Sequence, residues 1–265
     1  MKDWLFCCPV CKGQLKGDTV AKCQSGHCFD VARQGHINLL MSNAKGKRHG
    51  DDSAMVQARS RFLDKGYYAP LRDKVKEILG TGLTILDSGC GEGYYSSLLA
   101  EGNVLCGIDI SKDAVKSAAR RLPSSQFAVA SVGEIPLPDN SVDCVVCIFA
   151  PESEEFKRVL KQKGRLITVE PMEKHLFELK QAVYDKPYLN PAVKTEKEGY
   201  VFKSGCEVKY TVTIDCNEDI EALFMMTPYY YKTGKTDQDK LKSLEKLEVG
   251  LEFFVAEYEK SPMAD

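Results

Sequence analysis

The stretch Ile85-Leu86-Asp87-Ser88-Gly89-Cys90-Gly91-Glu92-Gly93-Tyr94-Tyr95 runs an apolar strand through an acid and three alternate glycines into a helix. Glycine at every second position removes Cβ atoms where a small molecule must lie against the backbone, and the free N–H groups of the following helix face whatever binds there. Such a unit belongs to an α/β domain that collects its ligands at the carboxyl ends of its strands. A nucleotide-like ligand is expected.

The spacing bears on which nucleotide. Dinucleotide-binding loops read GxGxxG, whereas this loop reads GxGxG. Asp87 ends the first strand, and Asp109 ends a second, Val104-Leu105-Cys106-Gly107-Ile108-Asp109. Asp109 is suited to accept hydrogen bonds from a ribose diol, and Asp87 to face a cationic group. S-adenosylmethionine has a ribose and a cationic methionine end but no pyrophosphate, so it fits both acids. Further on, Ile135-Pro136-Leu137-Pro138-Asp139-Asn140-Ser141-Val142-Asp143 leads into the apolar run Cys144 to Phe149, and Leu160-Lys161-Gln162-Lys163-Gly164-Arg165-Leu166-Ile167 follows. In this order the four segments resemble a class I S-adenosylmethionine-dependent methyltransferase, a Rossmann-like sheet with an antiparallel end hairpin. That class has Pro-Gly-Gly where this chain has Gln162-Lys163-Gly164. The alternative is a doubly wound domain with another ligand. After the third strand, Phe127-Ala128-Val129-Ala130-Ser131-Val132 lacks the Asp or Asn that many class I enzymes use to hold adenine, so a backbone contact at Ser131 or Val132 would replace it. Phe149-Ala150-Pro151-Glu152 also lacks the paired prolines typical of adenine-N6 methylation, which disfavours that chemistry.

The 265 residues suffice for one α/β domain and a small appendage. The start of the chain lacks a secretory signature and no apolar run is long enough for a bilayer, so a cytoplasmic protein is expected. Its 11 cysteines are then thiols or metal ligands rather than disulfides. Cys106, Cys144 and Cys147 sit in apolar runs and read as core. Cys8-Pro9-Val10-Cys11, followed after eleven residues by Cys23-Gln24-Ser25-Gly26-His27, is different. A CxxC turn offers two thiolates to one tetrahedral ion, and a second Cys/His pair closes the site. Cys8, Cys11, Cys23 and His27 are the expected zinc ligands, with Cys28 in place of His27 as the second choice. A segment with so few large apolar residues would take its folding energy from the metal, so the zinc is structural.

Residues 1–61 carry ten Lys or Arg against five Asp and no Glu, a net charge of +5, while the remainder of the chain carries −7. A polyanion would dock on the N-terminal part. Lys45-Gly46-Lys47-Arg48-His49-Gly50 reads as a basic loop, and Asp51-Asp52-Ser53 as the cap of a helix bearing Arg59 and Arg61. The layout expected is a zinc-binding, RNA-recognition module over 1–40, a basic linker and helical bridge over 41–80, and the methyltransferase domain over 81–265. Tyr200 to Asp215 alternates like a strand pair, Asn217-Glu218-Asp219 caps a helix through Met225, and Leu251 to Tyr258 reads as a last strand. Tyr229-Tyr230-Tyr231 after Pro228 lies in a loop near the ligand mouth, available to stack on a base or to pack in the core.

With the zinc pattern come Phe29-Asp30, Gly35-His36-Ile37-Asn38-Leu39-Leu40, Asp51-Asp52-Ser53-Ala54-Met55-Val56-Gln57-Ala58-Arg59 and Phe62-Leu63-Asp64-Lys65-Gly66-Tyr67-Tyr68. Together with the glycine loop and Phe149-Ala150-Pro151 they resemble the bacterial 23S rRNA (guanine-N1) methyltransferases over nearly the whole chain. The resemblance implies methyl transfer to N1 of one guanine in a domain II hairpin of 23S rRNA, a homodimer, and the macrolide protection that some relatives confer. It implies cofactor contacts at Tyr68, Gly91, Glu92 and His175, beside Asp87, Gly89 and Asp109 of the general fold. Without it, His175 reads as a solvated loop residue and Tyr68 as a packing aromatic. N1 of guanine must lose a proton to react, and Glu152 and Glu170, at the ends of predicted strands, are the candidate acceptors. The competing reading is a methyltransferase for a small molecule or protein whose zinc module binds a partner protein. Removal of residues 1–50 is expected to abolish RNA methylation and to leave cofactor binding measurable.

Overall fold

The structure is a computed structural model in which residues 1–41 and 50–262 are described; Lys45, Lys47, Arg48 and His49 of the basic loop lie outside the described residues. The chain opens with β1 (Asp3–Cys7), β2 (Gln14–Lys16), β3 (Val20–Lys22) and β4 (Cys28–Asp30), an antiparallel four-stranded sheet in that order. Period-two alternation turns Trp4, Phe6, Leu15 and Ala21 to one buried face. Next come β5 (Ile37–Asn38), α1 (Ser53–Asp64), α2 (Ala69–Leu79), β6 (Thr84–Ser88), α3 (Tyr94–Leu99), β7 (Val104–Asp109), α4 (Lys112–Arg121) and β8 (Gln126–Val129). The rest is β9 (Val142–Ile148), α5 (Glu155–Val159), β10 (Leu160–Pro171), α6 (Phe177–Val183), β11 (Tyr200–Ile214), α7 (Asn217–Met225), α8 (Lys235–Asp239) and β12 (Leu247–Lys260).

The large sheet runs β11-β12-β10-β9-β6-β7-β8-β5. Neighbours from β10 through β5 pair in parallel, and β12 is antiparallel to both β10 and β11. The chain leaves β6 toward β7 and β8, then crosses back to β9, so the topological switch falls between β6 and β9, where open α/β sheets bind ligands. Cys106, Cys144 and Cys147 are buried in strands, as their apolar surroundings require.

The N-terminal sheet does not hang on a tether. β5 extends the large sheet by pairing Ile37 with Ala128, and Leu39 N–H donates to Val129 O at 2.9 Å. Cys7 N–H donates to Pro136 O at 2.8 Å, and Leu5 N–H to Gln126 Oε1 at 2.8 Å. Trp4, Phe6, Leu15, Ile37 and Leu39 share one apolar cluster with Ala128, Ile135, Leu137 and Tyr258. A sheet this small has one apolar face and no second layer of its own, so it buries that face on its neighbour. Deleting residues 1–50 would therefore remove a strand and bare Ile135 and Leu137 rather than excise an independent module.

Three local expectations need correction. Tyr200 to Asp215 holds one 15-residue strand, Tyr200–Ile214, not a pair; its alternation marks an edge strand with one face in solvent. The last strand spans Leu247–Lys260, longer at both ends than its sequence signal. Asn217 does not cap α7: Cys216 is the cap residue, Asn217 Nδ2 donates to Leu241 O (2.7 Å) and Leu244 O (2.9 Å), and Asp219 accepts from Lys65 at 2.5 Å. At α1 the expected cap forms, with Asp52 Oδ1 accepting from Met55 N–H at 3.0 Å.

Candidate cofactor cleft and metal cluster

The glycine loop sits at the switch point and is tied to the second strand end. Gly89 and Cys90 N–H groups donate to Ile108 O at 2.9 and 3.0 Å. Gly91 N–H donates to Asp109 Oδ2 at 3.0 Å, and Ser111 N–H to Asp109 Oδ1 at 2.8 Å. The three glycines divide their labour. At Gly89 (φ +77°) a Cβ would stand 2.4 Å from Ala150 Cβ, and at Gly93 (φ +84°) 3.0 Å from Ala118 Cα. These two allow close packing of the chain on itself. At Gly91 (φ +53°) the nearest atom to such a Cβ is Arg59 Nη1 at 3.8 Å, so the middle glycine leaves the room for a ligand.

Three acids crowd this loop. Asp87 is 3% exposed and accepts from Ser96 Oγ at 2.5 Å. Burial pushes its carboxyl up to about 7, with the Ser96 hydrogen bond opposing and Asp109 and Glu92 adding to the rise. Burial likewise raises Glu92, against the pull of Arg59, and raises Asp109, against the N–H groups of Ser111 and Gly91. A sulfonium and an α-ammonium would neutralise this anionic cradle, and Gly91, which has no Cβ, gives them access, so the residues present suit S-adenosylmethionine.

A pH dependence follows from Asp87. A carboxyl raised by folding stabilises the ligand-free protein below its ordinary range and loses that contribution as pH climbs through about 7. A cationic ligand favours the ionised form, so cofactor affinity should rise with pH below 7, by up to about tenfold per unit, and then level off. Calorimetric titration near pH 6.5 in buffers of different ionisation enthalpy should show release of about one proton on binding. Heats independent of the buffer would remove Asp87 from the cofactor's surroundings.

Tyr68, just before α2, is 4% exposed and packs against Phe253 (ring centroids 5.3 Å apart) and Phe62 (5.9 Å). His175 is not a solvated loop residue: it is 6% exposed, and its ring lies 4.6 Å from that of Phe253. Its Nδ1 accepts from Glu252 N–H at 3.2 Å, and burial, with Lys180 adding, pushes it down to about 3. The ring is therefore neutral with its proton on Nε2, a donor. Asn190 braces it, donating to Met172 O (2.8 Å) and His175 O (3.3 Å) while accepting from the buried Lys180 at 2.6 Å. Ser131 and Val132 follow β8, with Ser131 Oγ accepting from Gly133 N–H at 3.1 Å. Ser131 borders a groove of about 320 Å³ shared with Leu39, Leu40, Met41, Gly133 and Glu134.

Lys197, 14% exposed, pairs with both Glu152 (2.5 Å) and Glu170 (3.3 Å). The structure brings the two acids together on one cation, so neither is a free proton acceptor while that pair is closed. Tyr229 is 9% exposed and donates to Asn190 Oδ1 at 3.1 Å, a packing role, whereas Tyr231 is 67% exposed and reaches α1 at Met55. Two further residues stand here beside the expected cofactor contacts. Phe149 takes φ +54° and is 45% exposed at the end of β9, its ring 5.5 Å from that of Phe253. Arg59 lies over Gly91. The sequence signal for the first was its place at the end of a parallel strand; for the second there was none beyond its helix.

At the far end of the module, one ligand atom from each of Cys8, Cys11, Cys23 and His27 lies within 4.8 Å of all the others. Cys11 Sγ and Cys23 Sγ are 3.5 Å apart, and His27 Nδ1 is 3.4 Å from Cys23 Sγ and 3.6 Å from Cys8 Sγ. Thiolates about 2.3 Å from one tetrahedral ion would have edges of about 3.8 Å, so the cluster suits zinc. Cys28 is exposed with its thiol against Gly26 O, which removes the second choice.

Sheet order, switch-point loop and strand-end acids define a class I S-adenosylmethionine-dependent methyltransferase with a zinc ribbon. Solved structures agree on the fold: YcgJ of Bacillus subtilis superposes with a TM-score of 0.51 at 14% identity, over 72% of this chain and 98% of its own. Residues 79–244 match the family described as a methyltransferase domain, and residues 6–48 the family described as RlmA, N-terminal, a zinc ribbon. YxjB of Bacillus subtilis, which carries the provisional name 23S rRNA (guanine-N1) methyltransferase, is 32% identical over 92% of this chain and 93% of its own. The 23S rRNA (guanine(748)-N(1))-methyltransferase of Streptomyces fradiae is 38% identical over 66% of each chain. The chain belongs to the family of 23S rRNA (guanine-N1) methyltransferases. Among the described residues no helix is long and apolar enough to cross a membrane.

Proposed function

We propose that this enzyme transfers the methyl group of S-adenosylmethionine to N1 of one guanine in a domain II hairpin of 23S rRNA. The observation that carries the reading is the union of an anionic cofactor cradle with a zinc ribbon that extends the same sheet, β5 beside β8. A basic N-terminal part held rigidly to the catalytic sheet can orient a long polyanion against the cleft, which a small acceptor would not require. The relatives' names point the same way.

In this reading Tyr68, Asp87, Gly91, Glu92, Asp109, Ser131, Val132 and His175 contact the cofactor, Gly89 shapes the loop, and Cys8, Cys11, Cys23 and His27 hold zinc. When bound, the cofactor supplies an electrophilic methyl on a sulfonium. The chain's part is to place guanine N1 in line with that methyl, exclude competing acceptors and let the N1 proton leave. With Glu152 and Glu170 engaged by Lys197, alignment supplies most of the rate and solvent takes the proton. The test is transfer of labelled methyl to unmodified 23S rRNA, followed by digestion and mass spectrometry. We expect 1-methylguanosine confined to one domain II hairpin. Cofactor binding without transfer to RNA would overturn the reading in favour of a protein or small-molecule acceptor.

A further inference from the structure

We propose that Arg59 receives the carboxylate of the cofactor's methionine end, and that Asp51 occupies the guanidinium until it does. The inference rests on S-adenosylmethionine as the ligand of the cleft. Helix α1 crosses the glycine loop in a fixed register, because Arg121 forks between the two: Nη1 donates to Asp64 Oδ1 (2.7 Å), Nη2 to Ser60 Oγ (2.8 Å) and Nε to Glu92 O (3.2 Å). That register sets Arg59 Nη1 3.8 Å from the position a Cβ would take on Gly91, directly over the glycine that leaves room for a ligand. The side chain is 24% exposed, so its charge is partly withdrawn from water.

The walls of the cleft are Asp87, Glu92 and Asp109. They suit the ammonium and sulfonium of the ligand and would repel its carboxylate, so a cation must stand where that carboxylate lands. Arg59 is so placed, and it is already bonded to a carboxylate: Asp51 Oδ2 lies 2.5 Å from Arg59 Nη2. The Asp51 carboxylate is chemically the same group as a methionine carboxylate and serves as its stand-in. The segment bearing it is pinned at the end of β7, where Ser111 Oγ donates to Asp51 O at 2.7 Å. A guanidinium is the fitting group, since its planar fork binds carboxylates through two parallel hydrogen bonds.

Calorimetric titration of the full, zinc-loaded chain with S-adenosylmethionine and with its decarboxylated analogue tests this. The unmodified protein should prefer the carboxylate-bearing compound by about 30-fold, and Arg59→Gln should remove that preference by weakening S-adenosylmethionine alone. Arg59→Lys should keep part of it, and Asp51→Asn should not weaken S-adenosylmethionine, because it frees the cation. Thermal melts confirm that each variant folds. Equal loss of both compounds in Arg59→Gln, or a loss in Asp51→Asn matching that of Arg59→Gln, would show that the pair only holds α1 in place and would overturn the proposal. So would an unmodified protein indifferent to the carboxylate, whereas binding of neither compound would overturn the cofactor reading itself.

Discussion

Stripping the metal from the N-terminal module with a chelator is expected to abolish RNA methylation and to shift the emission of Trp4 to the red. Trp4 is the single tryptophan of the chain, it is 3% exposed, and its Nε1 donates to Gly17 O at 3.0 Å, so its emission reports the module and its seat on the large sheet. The module has four short strands and a handful of large apolar side chains, while structural zinc contributes on the order of 10 kcal/mol to such units. Without the ion, Cys8 and Cys23 become buried thiols with no partner of comparable strength. The effect should spread. Ile37 and Leu39 belong to the sheet and cluster of the catalytic half, so chelation should also lower the melting temperature of the whole chain, and Cys11→Ser should reproduce both changes. Chelated protein with unaltered Trp4 emission and full transfer would refute a structural metal at these four residues.

Gly89→Ala should cost about 3 kcal/mol of stability and weaken cofactor binding by more than about 100-fold. Two penalties coincide there. The residue has φ +77°, where a side chain strains the backbone by about 1–2 kcal/mol, and its Cβ would overlap Ala150 Cβ at 2.4 Å. Relief requires the ends of β6 and β9 to separate, and that spreads the loop whose N–H groups hold Ile108 O and Asp109. Gly82 is the control: it has φ +81° but nothing within 4 Å of the added carbon, so Gly82→Ala should pay the strain without the overlap and keep cofactor binding. Equal melting temperatures for the two variants, with the cofactor still bound by both, would show that the switch point is more compliant than its packing implies.

Much of the site is legible in the residues alone. Alternate glycines, an acid at each of two strand ends, a CxxC and a CxxxH, and Asp52 ahead of Ser53 are patterns a few residues long, and each states a local chemistry: free N–H groups, a diol acceptor, thiolates on a turn, a helix cap. Such patterns survive whatever the rest of the chain does, which is why the glycine loop stands at the switch point, the four metal-ligand side chains cluster and the α1 cap forms. The misreadings share the opposite property. The alternation from Tyr200 to Asp215 is real but periodicity carries no information on where a chain turns, so it suits a strand pair as well as the one long edge strand that forms. Asn217 has a capping side chain, yet the carbonyls of Leu241 and Leu244, some two dozen residues on, claimed it.

The sequence by itself therefore determined the class of domain, the kind of cofactor and the presence of a metal-dependent module, because these depend on short runs of residue types. Tertiary structure alone decided that the module is welded to the sheet through Ile37 and Ala128, residues about ninety positions apart. It alone decided that His175 is a buried neutral donor, that Lys197 binds Glu152 and Glu170 together, and that Arg59 stands over Gly91. Each of these rests on groups brought together from distant parts of the chain, and their charge and burial have no value until the sheet has set the distances between them.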